Sequence, residues 1–176
     1  MAVSPKNQPH FLFFDFDGVL VTSKEINLYS GGKCPYNYLK NNTYLHYIDR
    51  ILKGYNAEAY FIPISSWSSV FKDINILKEY FEQENFEALK IYEPEHYINT
   101  NNFHPKAKLE NESRPYHVRD YIKRHHIKSY LIFDDECTVP YLFLGLRHIK
   151  TSVYDGITGE NFNHFNFFVY NYWRKN

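Results

Sequence analysis

The chain has little of what most specialised sequence classes need. Only 2 of its 176 residues are cysteine, Cys34 and Cys137. That number cannot build a disulfide scaffold, and two free thiols in a reducing compartment are expected. Seven glycines and eight prolines keep the composition far from collagen-like or low-complexity chains. Lys plus Arg and Asp plus Glu are 20 each, for a formal net charge of +0. This excludes the one-signed field of a strongly basic nucleic-acid binder or an acidic tail. No apolar run approaches the roughly 18 residues of a membrane-spanning helix. Residues 1–10 are polar, carry two prolines and lack the basic-then-apolar pattern of a secretory signal. They read as a polar tail ahead of a single domain over residues 11–176. A cytoplasmic protein with no membrane partner is expected, although export by a signal-free route would leave no mark. Aromatic residues are abundant: 17 Tyr, 15 Phe and 2 Trp, 19% of the chain. Disordered chains are poor in them, so a packed core is expected.

Short apolar runs without alternation read as strands buried on both faces. They are Phe11–Phe14, Ala59–Ile64, Ala88–Tyr92, Ser129–Phe133 and, more weakly, His148–Thr151. Pro63 is awkward in the second, because proline removes a ladder donor. Helical patterns lie between the runs. Leu45, Ile48, Ile51 and Leu52 share one face, with Gly54 able to close that helix. Ile74, Leu77, Tyr80 and Phe81 form a second stripe. Val118, Tyr121, Ile122 and His125 form a third, behind Ser113-Arg114-Pro115 with proline in the first turn. Phe162, Phe165, Val169 and Tyr172 form a fourth, after Thr158. Strands alternating with helices predict an α/β fold with a mostly parallel five-stranded sheet. No internal repeat or dividing linker is visible.

Ligands of open α/β sheets bind beyond the carboxyl ends of the strands. Two of the apolar strands end in paired aspartates, Asp15/Asp17 and Asp134/Asp135, and a third ends in Ser65-Ser66. Taken singly, each pair has an ordinary explanation as a turn or a solvated strand end. Both occupy the same position relative to a buried strand, with a hydroxyl residue closing another strand between them, and together they point to a site. Crowded carboxylates repel, and a divalent cation suited to oxygen donors, Mg²⁺, would relieve that. In Asp15-Phe16-Asp17 the two carboxylates are two apart on an extended chain and so point to one side. Gly18 then lets the chain turn away. One aspartate can attack while its neighbour moves a proton. The nine histidines show no HExxH-type spacing, and Gly31-Gly32 lacks the rest of a phosphate loop.

The string Phe13-Phe14-Asp15-Phe16-Asp17-Gly18-Val19-Leu20 resembles the first motif of haloacid dehalogenase (HAD)-type phosphohydrolases. The resemblance implies a three-layer Rossmann-like fold. It makes Asp15 the nucleophile that becomes an aspartyl-phosphate and Asp17 the general acid/base. It makes Ser65, or its neighbour Ser66, the phosphate-holding hydroxyl. It places Asp134 on Mg²⁺ with Asp15 and the main-chain carbonyl of Asp17, and Asp135 on it through water. The lysine such enzymes use against the phosphoryl charge is missing from its usual place at the start of the helix before the fourth strand. Arg114 stands there, with Lys106, Lys108 and Lys123 as alternatives. Ser65 follows Asp17 by 48 positions and Arg114 follows Ser65 by 49, which leaves no room for a large cap domain.

An uncapped site suits a substrate that supplies its own cover. Ser65-Ser66-Trp67, Arg114, Ile132-Phe133-Asp134-Asp135-Glu136 and Asp155-Gly156-Ile157-Thr158 together look like the HAD domains of multi-part RNA-repair proteins. That resemblance implies a Mg²⁺-dependent phosphomonoesterase acting on a large or exposed substrate, such as a nucleic-acid end or a phosphoprotein. A small-molecule phosphatase or nucleotidase and a non-catalytic HAD-fold binding module are the competing expectations. Lys123-Arg124-His125-His126 and Arg147-His148-Ile149-Lys150 are basic clusters, and such runs are most often solvated faces. The aromatics around Tyr36, Tyr38, Tyr97 and Phe103 are candidates for the mouth of the site.

Overall fold

The computed structural model describes residues 9–23, 25, 43–64, 75–91, 114–136 and 138–174. Five strands form one sheet: β1 (His10–Phe14), β2 (Ala59–Pro63), β3 (Leu89–Ile91), β4 (Tyr130–Asp134) and β5 (His148–Lys150). Their order is β3-β2-β1-β4-β5 and every pairing is parallel. The five expected strands are all present. Pro63 is accommodated because it is the last residue of β2. Ile64 N–H bonds the Phe14 carbonyl on the β1 side. By alternation Pro63 faces the other side, past Ile91, where the β3 ladder has stopped.

Alternation along each strand sorts side chains onto two faces. Leu12, Phe14, Phe61, Leu131, Phe133 and Ile149 meet the helices α1 (Thr43–Gly54), α2 (Asn75–Gln83) and α5 (Gly159–Tyr172). Phe11, Phe13, Ile62 and Ile132 meet α3 (Arg114–Arg124) and α4 (Thr138–Phe143) on the opposite face. This is the three-layer α/β arrangement, and no cap lies among the described residues. Among the described residues, many of the aromatics pack the core. Phe14 stacks on Phe61 at 5.0 Å and on Phe133 at 4.7 Å, a row of rings across three strands that ends edge-on against Phe165.

The expected helical stripes form α1, α2, α3 and α5, with Ile74 lying outside the described residues. Thr158 caps α5 as expected, in a reciprocal box with Asn161. The end of α1 differs from expectation. Gly54 is its last helical residue, while Asn56 takes the left-handed conformation (φ 50°), and Ala57 N–H reaches back to the Leu52 carbonyl. Helix α4 was not foreseen: it has six residues with Pro140 among them, and only Tyr141 of these is buried. Among the described residues no helix is long and apolar enough to cross a membrane.

Candidate functional site

The sheet order places a topological switch point beside β1, whose neighbours are β2 and β4. Because Phe14 pairs in register with Phe133, Asp15 and Asp134 emerge side by side at the carboxyl edge. Asp15 is buried, its N–H bonds the Phe133 carbonyl at 3.0 Å, and its Oδ1 accepts from Phe16 N–H at 2.8 Å. The chain then folds back tightly, with Leu20 and Val21 N–H groups both bonding the Phe16 carbonyl. Half-buried Asp17 bridges to Val21 within this turn. Gly18 is required twice over. Its φ is +71°, and a Cβ there would stand 2.5 Å from Asp135 Oδ2. The Thr151 hydroxyl, buried past the end of β5, donates to the Gly18 carbonyl at 2.7 Å.

Arg114 opens α3 and projects into the same edge. Its Nη1 lies 2.6 Å from Asp15 Oδ2, and 2.8 and 2.9 Å from the two oxygens of Asp134. Glu136 Oε1 is 3.8 Å away. Burial works against the charge, and the carboxylates of Asp15 and Asp134 outweigh it, so the guanidinium pKa is raised and the group stays a cation.

Asp134 has no exposure to solvent. An ionised carboxylate offers about four lone-pair directions, and here each oxygen accepts twice. Oδ1 takes Arg114 Nη1 and Glu136 N–H (2.8 Å), and Oδ2 takes Arg114 Nη1 and the Tyr141 hydroxyl (2.6 Å). Burial and then Asp134 push the Tyr141 pKa up, so this hydroxyl remains a donor. The Tyr141 ring stacks on His148 at 4.3 Å. His148 Nε2 is 3.0 Å from the Asp134 main-chain carbonyl, which also accepts Thr151 N–H. A carbonyl only accepts, so Nε2 carries the proton. Nδ1 is then bare and buried, with no partner among the described residues, and burial lowers the His148 pKa.

Asp135 and Glu136 are only partly buried. Burial and the neighbouring Asp134 raise both of their pKa values against the opposing pull of Arg114, and Asp17 raises Asp135 further. Asp15, Asp134 and Asp135 each place a carboxylate oxygen within a span of 4.8 Å. An all-oxygen set of this kind fits a hard divalent cation such as Mg²⁺.

The structure brings Asp15, Asp17, Arg114, Asp134 and Asp135 together. Ser65 and Ser66 lie outside the described residues, as do Lys106, Lys108, Tyr36, Tyr38, Tyr97 and Phe103. Lys123 is exposed in the last turn of α3. Nine residues beyond Arg114 correspond to about 13 Å along the helix, so Lys123 is away from the site. Tyr141, His148 and Thr151 belong to the surroundings of the site and no motif announced them. The one available signal was a tyrosine without a helical stripe shortly after the acidic pair.

A family model described as the HAD domain in Swiss Army Knife RNA repair proteins matches residues 11–162. No curated protein and no solved structure shows significant similarity.

Proposed function

The chain belongs to the family of HAD domains found in Swiss Army Knife RNA repair proteins, and from that premise we propose that it is a Mg²⁺-dependent phosphomonoesterase. The observation that carries this reading is the contact of Arg114 with Asp15, 2.6 Å apart at the switch point, beside an acidic pair.

In this reading an Asp15 carboxylate oxygen attacks phosphorus. The new Asp15–O–P bond forms as the bond to the leaving oxygen breaks, and Asp17 gives that oxygen its proton. Asp17 then takes a proton from water, which attacks phosphorus, releases phosphate and restores Asp15. Arg114 faces the attacking carboxylate, where it can offset charge on the transferring group. Ser65 or Ser66 donates a hydroxyl to the phosphoryl oxygens.

Asp15, Asp135 and the main-chain carbonyl of Asp17 would hold the cation. Asp135 takes the direct place that the resemblance gives to Asp134, because both Asp134 oxygens are already committed to donors. The bound cation would supply neutralising charge at the transferring phosphoryl group.

The substrate we favour is a nucleic-acid terminal phosphate, which an uncapped site can admit. Intact Asp15 and Asp17 count against a non-catalytic binding module, which has no need of both. The test is hydrolysis of p-nitrophenyl phosphate by the wild type, with and without EDTA, and by Asp15→Asn. A panel of phosphorylated metabolites and phosphopeptides is then set against an RNA 3′-phosphate oligonucleotide. Turnover that requires Mg²⁺ and Asp15 and is fastest on the oligonucleotide is expected. Full activity of Asp15→Asn would sink the mechanism, and preference for a metabolite or a phosphopeptide would move the substrate.

A further inference from the structure

We propose that Tyr141 is a positioning residue for phosphoryl transfer: by holding Asp134, it aims Arg114 at Asp15. The assignment rests on the phosphatase reading above and adds a residue to it.

The geometry runs outward from Asp15. Arg114 is attached to Asp15 by a single nitrogen, Nη1. That nitrogen is centred on both oxygens of Asp134 at 2.8 and 2.9 Å, so the plane of the Asp134 carboxylate sets where Nη1 sits. The plane in turn is fixed by the donors on its far sides, the Glu136 N–H on one oxygen and the Tyr141 hydroxyl on the other. The main-chain bond cannot reorient without moving the loop after β4. The side chain that completes the hold is Tyr141, whose ring is fully buried and stacked on His148. His148 grips the main-chain carbonyl of the same Asp134. One stacked pair of rings therefore holds both ends of one aspartate.

Without the hydroxyl, one oxygen of the fully buried Asp134 loses its shortest hydrogen bond, with no solvent contact to replace it. The carboxylate can then turn, and Arg114 turns with it. Misplacement of a charge-bearing group by a fraction of an ångström slows the step that depends on it while leaving substrate capture almost unchanged.

The experiment is a double-mutant cycle of Tyr141→Phe and Arg114→Met, read as kcat and KM for p-nitrophenyl phosphate in Mg²⁺. Tyr141→Phe is expected to lower kcat between about 10- and 100-fold with KM within about twofold. In the Arg114→Met background the same change is expected to cost less than about twofold, because the group it aims is gone. Para-aminophenylalanine at position 141, whose amine donates from the same end of the ring, should restore most of kcat. Para-methylphenylalanine fills the same space without donating and should not; this pair replaces the Phe variant if that variant does not fold. An unchanged kcat in Tyr141→Phe, equal losses with and without Arg114, or equal rates for the amino and methyl analogues would each overturn the assignment. A wild type that hydrolyses no phosphomonoester would overturn the phosphatase reading and this one with it. The other results leave that reading standing.

Discussion

Removing the charge of Arg114 while keeping its stem, as in Arg114→Met, probes stability and chemistry at once. The side chain is 17% exposed, and the carboxylates it joins, Asp15 and Asp134, are 2% and 0% exposed. Solvent screening is therefore small at this site. Taking one partner out of a buried ion pair leaves uncompensated charge and destabilises by about 3–5 kcal/mol. For a chain of this length each kcal/mol moves the melting temperature by roughly 2–4 °C, so a fall of about 6–20 °C is expected by differential scanning calorimetry at pH 8. Millimolar Mg²⁺ should recover part of the loss in Arg114→Met and raise the wild type less, since the cation would bind Asp15, one of the two carboxylates left without their partner. The kcat should drop by about 10²–10³, the usual effect of deleting one charge-stabilising donor. A melting temperature within about 2 °C of wild type at pH 8 would refute the idea that Arg114 compensates buried charge.

Three further outcomes follow from the same geometry. Gly18→Ala should lose Mg²⁺-dependent activity and stability together, because its Cβ would meet Asp135 Oδ2 at 2.5 Å at a φ of +71°; unaltered Mg²⁺ titration of the activity would contradict this. Asp135→Asn should raise the Mg²⁺ concentration needed for half-maximal activity with little change in melting temperature. Asp134→Asn should instead lower the melting temperature, and a reversal of this pattern would return the direct metal contact to Asp134. His148 has a pKa lowered by burial, so its neutral form stabilises the fold fully above its ordinary pKa of about 6.5. That contribution is lost as pH falls through this value toward the lower folded one. His148→Gln should flatten the fall in melting temperature between pH 7.5 and 5.5, and an identical slope in the variant would refute it.

Much of this was legible because burial leaves a plain mark on strands. Phe11–Phe14 and Leu131–Phe133 are buried on both faces, so their apolar runs end abruptly at Asp15 and Asp134 on the carboxyl edge of the sheet. Two strands ending in acid are therefore visible in the order of residues, and parallel pairing makes them neighbours. Arg114 was legible as a charge at the start of a helix, though its contact with Asp15, 99 positions away, was not. Helix α4 escaped because Val139, Leu142 and Phe143 are exposed, so its apolar residues face water and make no buried stripe. With α4 unseen, only the position of Tyr141 shortly after the acidic pair hinted at its contact with Asp134. The closing of α1 by Asn56 in place of Gly54 reflects the tolerance of asparagine for the left-handed region, which composition alone does not rank.

The central claim is that Asp15 carries the phosphoryl group. The most direct measurement is a rapid acid quench of the wild type during turnover of a ³²P-labelled phosphomonoester, with the label followed on the protein. Label bound to the chain, released by hydroxylamine as an acyl-phosphate is, mapped to the peptide containing Asp15 and absent from Asp15→Asn, is the predicted result. Steady turnover with no label on the protein at any quench time, or label retained by Asp15→Asn, would contradict it.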